Sequence, residues 1–111
     1  MEVFTIGRGA YPHISEPHVY IRRNKGAGYA HNVVISFNRW DKILEPFYYV
    51  DYMIDDNRVY FDFSNFGNKL EFSFHVARFK VHNDKRLVDF ISRDYYIPKY
   101  DKESGYWYIE K

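Results

Sequence analysis

Residues 48–63 read YYVDYMIDDNRVYFDF. Val50, Tyr52 and Ile54 share one face of a period-two pattern, and Tyr49, Asp51, Met53 and Asp55 share the other. After Asp56-Asn57 the alternation resumes, with Val59, Phe61 and Phe63 set against Arg58, Tyr60 and Asp62. Two alternating runs joined by an Asp-Asn pair predict a β-hairpin, because both residues tolerate the positive φ of a tight turn. The apolar face of each strand requires a second layer over it. The opposite face, of Tyr and Asp, is open to solvent or to a partner.

Upstream of the hairpin, Glu2 to Ile6 reads as a short strand, and Gly7 to His18, with Pro12 and Pro17, as an irregular arm. Val19 to Arg23 alternates, Val19 and Ile21 inward, Tyr20 and Arg22 outward. Asn24 to Asn32 (NKGAGYAHN) holds two glycines and few apolar anchors, so a mobile loop is expected. Val33 to Phe37 is a strand. Asn38 is placed to cap a short helix through Leu44, which Pro46 ends.

Downstream, Ser64 to Lys69 reads as a turn. Leu70 to Val81, LEFSFHVARFKV, reads as one long strand with Leu70, Phe72, Phe74 and Val76 on its apolar parity. Phe79 and Val81 occupy the other parity, and a bulge near Ala77-Arg78 accounts for the shift. Asn83 or Asp84 can cap a helix through Arg93, with Leu87, Val88 and Ile91 in a stripe. The last residues predict a hairpin turning at Ser104-Gly105, its first arm marked as an edge strand by Pro98. The expected fold is α+β, a single domain over residues 1–111: an antiparallel twisted sheet of five to seven strands with one main helix, near Asp84 to Arg93, packed on it. Ile35, Phe61, Phe72 and Phe74 are expected in the core.

A chain of 111 residues can close one core of modest size. Aromatic residues make up 22% of it, which argues against disorder, and twelve Tyr are more than such a core hides. Many of them belong at a rim or an interface, where the ring is covered and the hydroxyl stays wet. The absence of Cys excludes disulfides, thiolate metal sites and Cys nucleophiles. It suits a reducing compartment, and the cytoplasm is the expected location. No apolar run approaches the roughly 18 residues that span a bilayer, and MEVFTIGRGAYP lacks the basic start and apolar middle of a signal peptide.

The net charge of +1 hides a segmental pattern. Residues 1–40 carry +3, residues 41–66 carry −4, residues 67–93 carry +3, and the remainder −1. Opposite charges paired across strands of one sheet would produce this pattern. So would a functional charge patch.

Neither metal nor cofactor is expected. The five His (13, 18, 31, 75 and 82) fall in no ligand spacing, and neither a phosphate loop nor a dinucleotide fingerprint occurs. Three readings of function remain. In the first, Tyr49, Asp51, Asp55, Asp56, Tyr60 and Asp62 of the acidic hairpin form a protein-binding surface, since desolvated aromatics carry interface energy and the carboxylates can stand where a partner expects phosphate. In the second, Tyr20, Arg22, Arg23, Lys25 and Tyr29 bind nucleic acid, rings stacking on bases and cations meeting phosphates, an arrangement that favours single strands. The third is a metal-independent ribonuclease using His75 and His82 with Arg78, Lys80, Tyr95 and Tyr96.

In its Cys-free composition, rich in Tyr, Asn, Asp and Lys, the chain resembles small accessory proteins of phages and mobile elements, anti-CRISPR and other anti-defence proteins among them. The segment IRRNKGAGYAHNVVISFNRW is similar to the strand–loop–strand openings of small mobile-element DNA-binding proteins. The first resemblance implies a non-enzymatic inhibitor that occludes a host or competitor protein. It transfers no site residue.

Overall fold

The computed structural model describes residues 16–23, 31–40, 44, 47–64 and 66–111. The strand expected at Glu2 to Ile6, most of the arm after it, residues 24–30 with Lys25 and Tyr29, and the centre of the helix expected after Asn38 lie outside these residues.

The described residues include ten strands and one helix described from end to end, β1 (His18–Arg23), β2 (Val33–Asn38), β3 (Tyr49–Asp55), β4 (Arg58–Ser64), β5 (Asn68–Lys69), β6 (Glu71–Ser73), β7 (Val76–Val81), α1 (Lys85–Phe90), β8 (Tyr95–Tyr96), β9 (Lys99–Asp101) and β10 (Tyr106–Glu110), and Leu44 is helical as well. Sheet A has the order β6-β7-β2-β1-β8 and sheet B the order β5-β3-β4-β10-β9. Every pairing is antiparallel. The expected antiparallel strand pairing is present, but the α+β reading, one sheet of five to seven strands under a main helix, is corrected to a sheet-dominated fold. A second sheet covers the first, and α1 spans only six residues. Two sheets' worth of alternating apolar strands need more cover than one short helix supplies, and they supply it to each other.

The central hairpin forms as read. β3 and β4 close at Asp55 opposite Arg58, and Asp56 in the turn takes φ +33. Val50 pairs with Phe63, Tyr52 with Phe61, and Ile54 with Val59, all directed at sheet A. From β1, β2 and β7, Val19, Ile21, Val33, Ile35, Phe37, Ala77, Phe79 and Val81 meet them in one core. Phe37 is its centre, fully buried, with ring centroids 5.0 Å from Trp40, 5.1 Å from Phe61, 5.2 Å from Phe63 and 6.0 Å from Phe79. The final hairpin also forms as read, with Gly105 at φ +80 in its turn and β9 on the edge of sheet B.

The stretch Leu70 to Val81 departs from its reading as one strand. It is a hairpin: Ser73 pairs with Val76 and Phe72 with Ala77, leaving Phe74-His75 as a two-residue turn with His75 at φ +61. The change of parity marks that turn and not a bulge. Its carbonyl is tied down, since Arg39 N donates to His75 O at 2.8 Å. Ile35 and Phe61 are fully buried as expected, but Phe74 is 85% exposed and Phe72, on edge strand β6, is 50% exposed.

α1 begins where expected, the Asp84 side chain accepting from Leu87 N at 3.1 Å. It stops at Phe90 instead of Arg93. The backbone N–H groups of Ser92 and Arg93 donate to the buried Tyr96 hydroxyl, at 2.8 and 3.3 Å, and not to helix carbonyls. Asp84 also joins the layers: its other oxygen accepts from the Tyr52 hydroxyl of β3 at 2.5 Å, and its N–H donates to His31 O at 3.0 Å. No helix among the described residues is long and apolar enough to cross a membrane.

Two outcomes follow from this packing. Phe37→Ala should destabilise the fold by about 3–5 kcal/mol, while Phe72→Ala should cost less than about 1 kcal/mol. Urea unfolding of the two variants checks the contrast, and comparable losses would contradict the hairpin at Phe74-His75.

The second concerns Tyr52. Burial, and then the hydrogen bond to Asp84, push its phenol well above the ordinary range. The unfolded chain ionises Tyr52 near about pH 10, whereas the folded chain keeps it neutral. The stabilisation is complete below that pH and is lost as pH rises toward the folded value. Between about pH 9 and about pH 11 the wild-type urea midpoint should therefore fall more steeply than that of Tyr52→Phe. Parallel slopes would show that Tyr52 is not held neutral.

Candidate functional site

Each sheet turns one face to the core and one outward, and the two outward faces differ in charge and in shape. On sheet A the outward residues form rows through the pairing register. One row runs Arg22, Val34, Lys80; the next runs Tyr95, Tyr20, Ser36, Arg78, Glu71. Long side chains stand on the flanking strands β1 and β7, and short ones on β2 between them. Strands lie about 4.8 Å apart, so the walls stand roughly 10 Å from each other. The result is a groove with a cavity of about 350 Å³, floored by Val34 and Ser36 and walled by Tyr20, Arg22, Arg78 and Lys80. Glu71 is the single acidic side chain lining it among the described residues. Arg78 reaches the Ser73 hydroxyl at 3.4 Å.

One end of the groove is anchored. Asn38 Nδ2 donates to His18 Nε2 at 3.2 Å, which leaves the imidazole proton on Nδ1, donating to Glu16 O at 3.0 Å. Trp40 Nε1 donates to His18 O at 3.1 Å. These bonds fix the start of β1 against the end of β2, and with it the spacing of Tyr20 and Arg22 from the opposite wall.

The basic set expected from sequence is only partly brought together. Tyr20 and Arg22 share the groove. Arg23 turns to the other side of β1, where its guanidinium donates to Val88 O at 3.3 Å. Lys25 and Tyr29 lie outside the described residues. Arg78 and Lys80, which sequence assigned to a nuclease constellation, supply the far wall instead. Their signal was present, since they occupy the parity opposite buried Phe79 and Val81. What sequence lacked was the partner strand. The nuclease constellation is not assembled: His75 and His82 flank opposite ends of β7, about 23 Å apart along extended chain, and the Tyr96 hydroxyl is engaged by Ser92 and Arg93.

The outward face of sheet B carries the acidic set. Tyr49, Asp51 and Asp55 of β3 share it with Tyr60 and Asp62 of β4, while Asp56 lies in the turn. The pairing explanation of the charge pattern holds at one end. Glu110 accepts from Lys99 at 3.1 Å and from Arg58 at 3.0 Å, and these two cations hold its carboxyl below the usual range. The Arg58 guanidinium lies 4.4 Å from the Tyr108 ring centroid and bonds the Tyr60 hydroxyl at 3.1 Å. Elsewhere it fails, because Asp51 stands directly opposite Asp62. Like charges so placed repel. Gly67 packs against Asp51 at φ +117, and a Cβ there would come within 2.6 Å of Asp51 Oδ1. Among the described residues, β1 and β7 of the basic segments thus lie in one sheet, and β3 and β4 of the acidic segment in the other.

No family model matches the chain. No curated protein matches it, and no solved structure does. The site is therefore read from its own geometry.

Asp51→Asn should raise the urea midpoint at neutral pH in low salt, the gain shrinking as salt screens the pair. A destabilised variant would mean that the Asp51 carboxylate is held by a favourable contact.

Proposed function

We propose that this chain is a non-enzymatic binding protein that holds single-stranded nucleic acid in the groove across sheet A. The reading is carried by one observation: cations stand on both walls, Arg22 facing Lys80 and Tyr20 facing Arg78, over an uncharged floor. Phosphates in such a trough are neutralised from two sides, and a ring on the wall gives a base a face to stack on. A single strand offers backbone and bases together. The near-neutral net charge is no obstacle, because the described residues that line the groove include three Arg or Lys and one Glu. The field that a ligand meets is local.

A second reading rests on the outward face of sheet B. There Met53 is 41% exposed beside Tyr60, and the opposed Asp51 and Asp62 would be relieved by a basic partner. For a chain resembling phage anti-defence proteins, that partner is a host defence protein whose phosphate-binding surface the carboxylates occupy. The groove is preferred because it is concave and reads a defined chemistry.

Replacing Arg78 and Lys80 together by Ala should weaken binding to an oligothymidylate and flatten the log–log salt dependence by up to about two units. Fluorescence anisotropy across a salt series measures both. Asp51→Asn should leave this binding unchanged. Oligonucleotide binding that ignores the Arg78/Lys80 change would move the site elsewhere; capture of a basic protein lost in Asp51→Asn would favour the second reading.

A further inference from the structure

Past Tyr20 and Arg22 the groove opens into a second cavity of about 680 Å³ at the edge of β1. Tyr20 and Arg22 line both cavities, so the two adjoin across these side chains. The far side of the second cavity is the segment from Ile91 to Asp94, between α1 and β8. Its lining differs in kind from that of the groove. Ile91 gives it apolar surface, and Arg23, Ser92 and Arg93 give it donors. The volume lies within the roughly 300–1,000 Å³ typical of small-ligand sites.

This wall is built, not loose. The Tyr96 hydroxyl, on a buried side chain, accepts from the N–H groups of both Ser92 and Arg93. Ile21 N donates to Asp94 O at 2.9 Å, which pins the segment to β1. The Arg93 guanidinium rests over the Tyr96 ring, 5.1 Å from its centroid. A guanidinium seated on a ring presents a second planar face, and such faces stack on unpaired bases. Phosphate alone requires neither this plane nor the Ile91 side chain.

Resting on the groove reading above, we infer that the second cavity takes one unpaired nucleobase of the bound strand, stacked on Arg93 beside Ile91. The backbone crosses at Arg22 toward Lys80. A duplex cannot occupy both chambers, because it is stiff over about 50 nm and its bases face inward.

The test uses an oligothymidylate of about eight nucleotides and an otherwise identical oligomer made wholly of abasic units. Arg93→Ala should weaken the oligothymidylate at least about fivefold and leave the abasic oligomer unchanged. Arg93→Lys, which keeps the charge and loses the plane, should behave like Arg93→Ala. Thermal unfolding of both variants checks that the segment remains folded. Equal weakening of both oligomers by Arg93→Ala would reduce Arg93 to a phosphate contact and overturn the base pocket, as would no effect on either. In both cases the groove reading stands if the Arg78/Lys80 variant still loses affinity. Failure of the wild-type protein to bind either oligomer, or equal competition by polyglutamate, would overturn the groove reading and the pocket with it.

Discussion

The packing of Phe37 against Phe61 and Phe63 is the constraint on which the rest of the structure depends. Phe37 lies on the central strand of sheet A, and its edge-on contacts at 5.1 and 5.2 Å reach the strand at the middle of sheet B. Edge-to-face rings add a directional attraction to the area they bury. Fixing this crossing orients one sheet on the other. It also decides which parity of every strand faces outward, because a one-residue slip would exchange the two faces. The groove is a consequence: with Val33, Ile35 and Phe37 directed inward, Val34 and Ser36 become the floor.

The domain separates its charges by layer. Strands β1 and β7 are distant in sequence, yet both pair with β2, which brings Arg22 and Lys80 to facing positions over Val34. The acidic hairpin sits in the other sheet with the core between. Neither face neutralises the other, and each keeps a local field that the whole-chain charge conceals. The opposed Asp51 and Asp62 run against the interest of folding alone.

Asp84 shows how one side chain serves both fold and site. It caps α1 and accepts from Tyr52 of sheet B. It thereby sets where the helix starts, and Tyr96 sets where it ends by taking the N–H groups of Ser92 and Arg93. The short segment after the helix is left fixed at the edge of β1, where it forms the wall of the second cavity.

Features that depend on near neighbours were legible in the sequence. Period-two alternation and the Asp-Asn turn specify the central hairpin, its inward residues and the outward Tyr and Asp set. Ser104-Gly105 and Pro98 specify the last hairpin, and Asp84 the start of the helix. The turn at Phe74-His75 was illegible because it holds none of Gly, Asn, Asp or Pro, and the only trace was a change of parity that a bulge explains as well. Tertiary structure alone decided the rest. Whether alternating strands form one sheet or two depends on which pairs with which. The joining of Tyr20 and Arg22 to Arg78 and Lys80, and the turning away of Arg23, follow from the same choice. Strand pairing is made by backbone hydrogen bonds that every residue can form, so it leaves little mark on side-chain sequence.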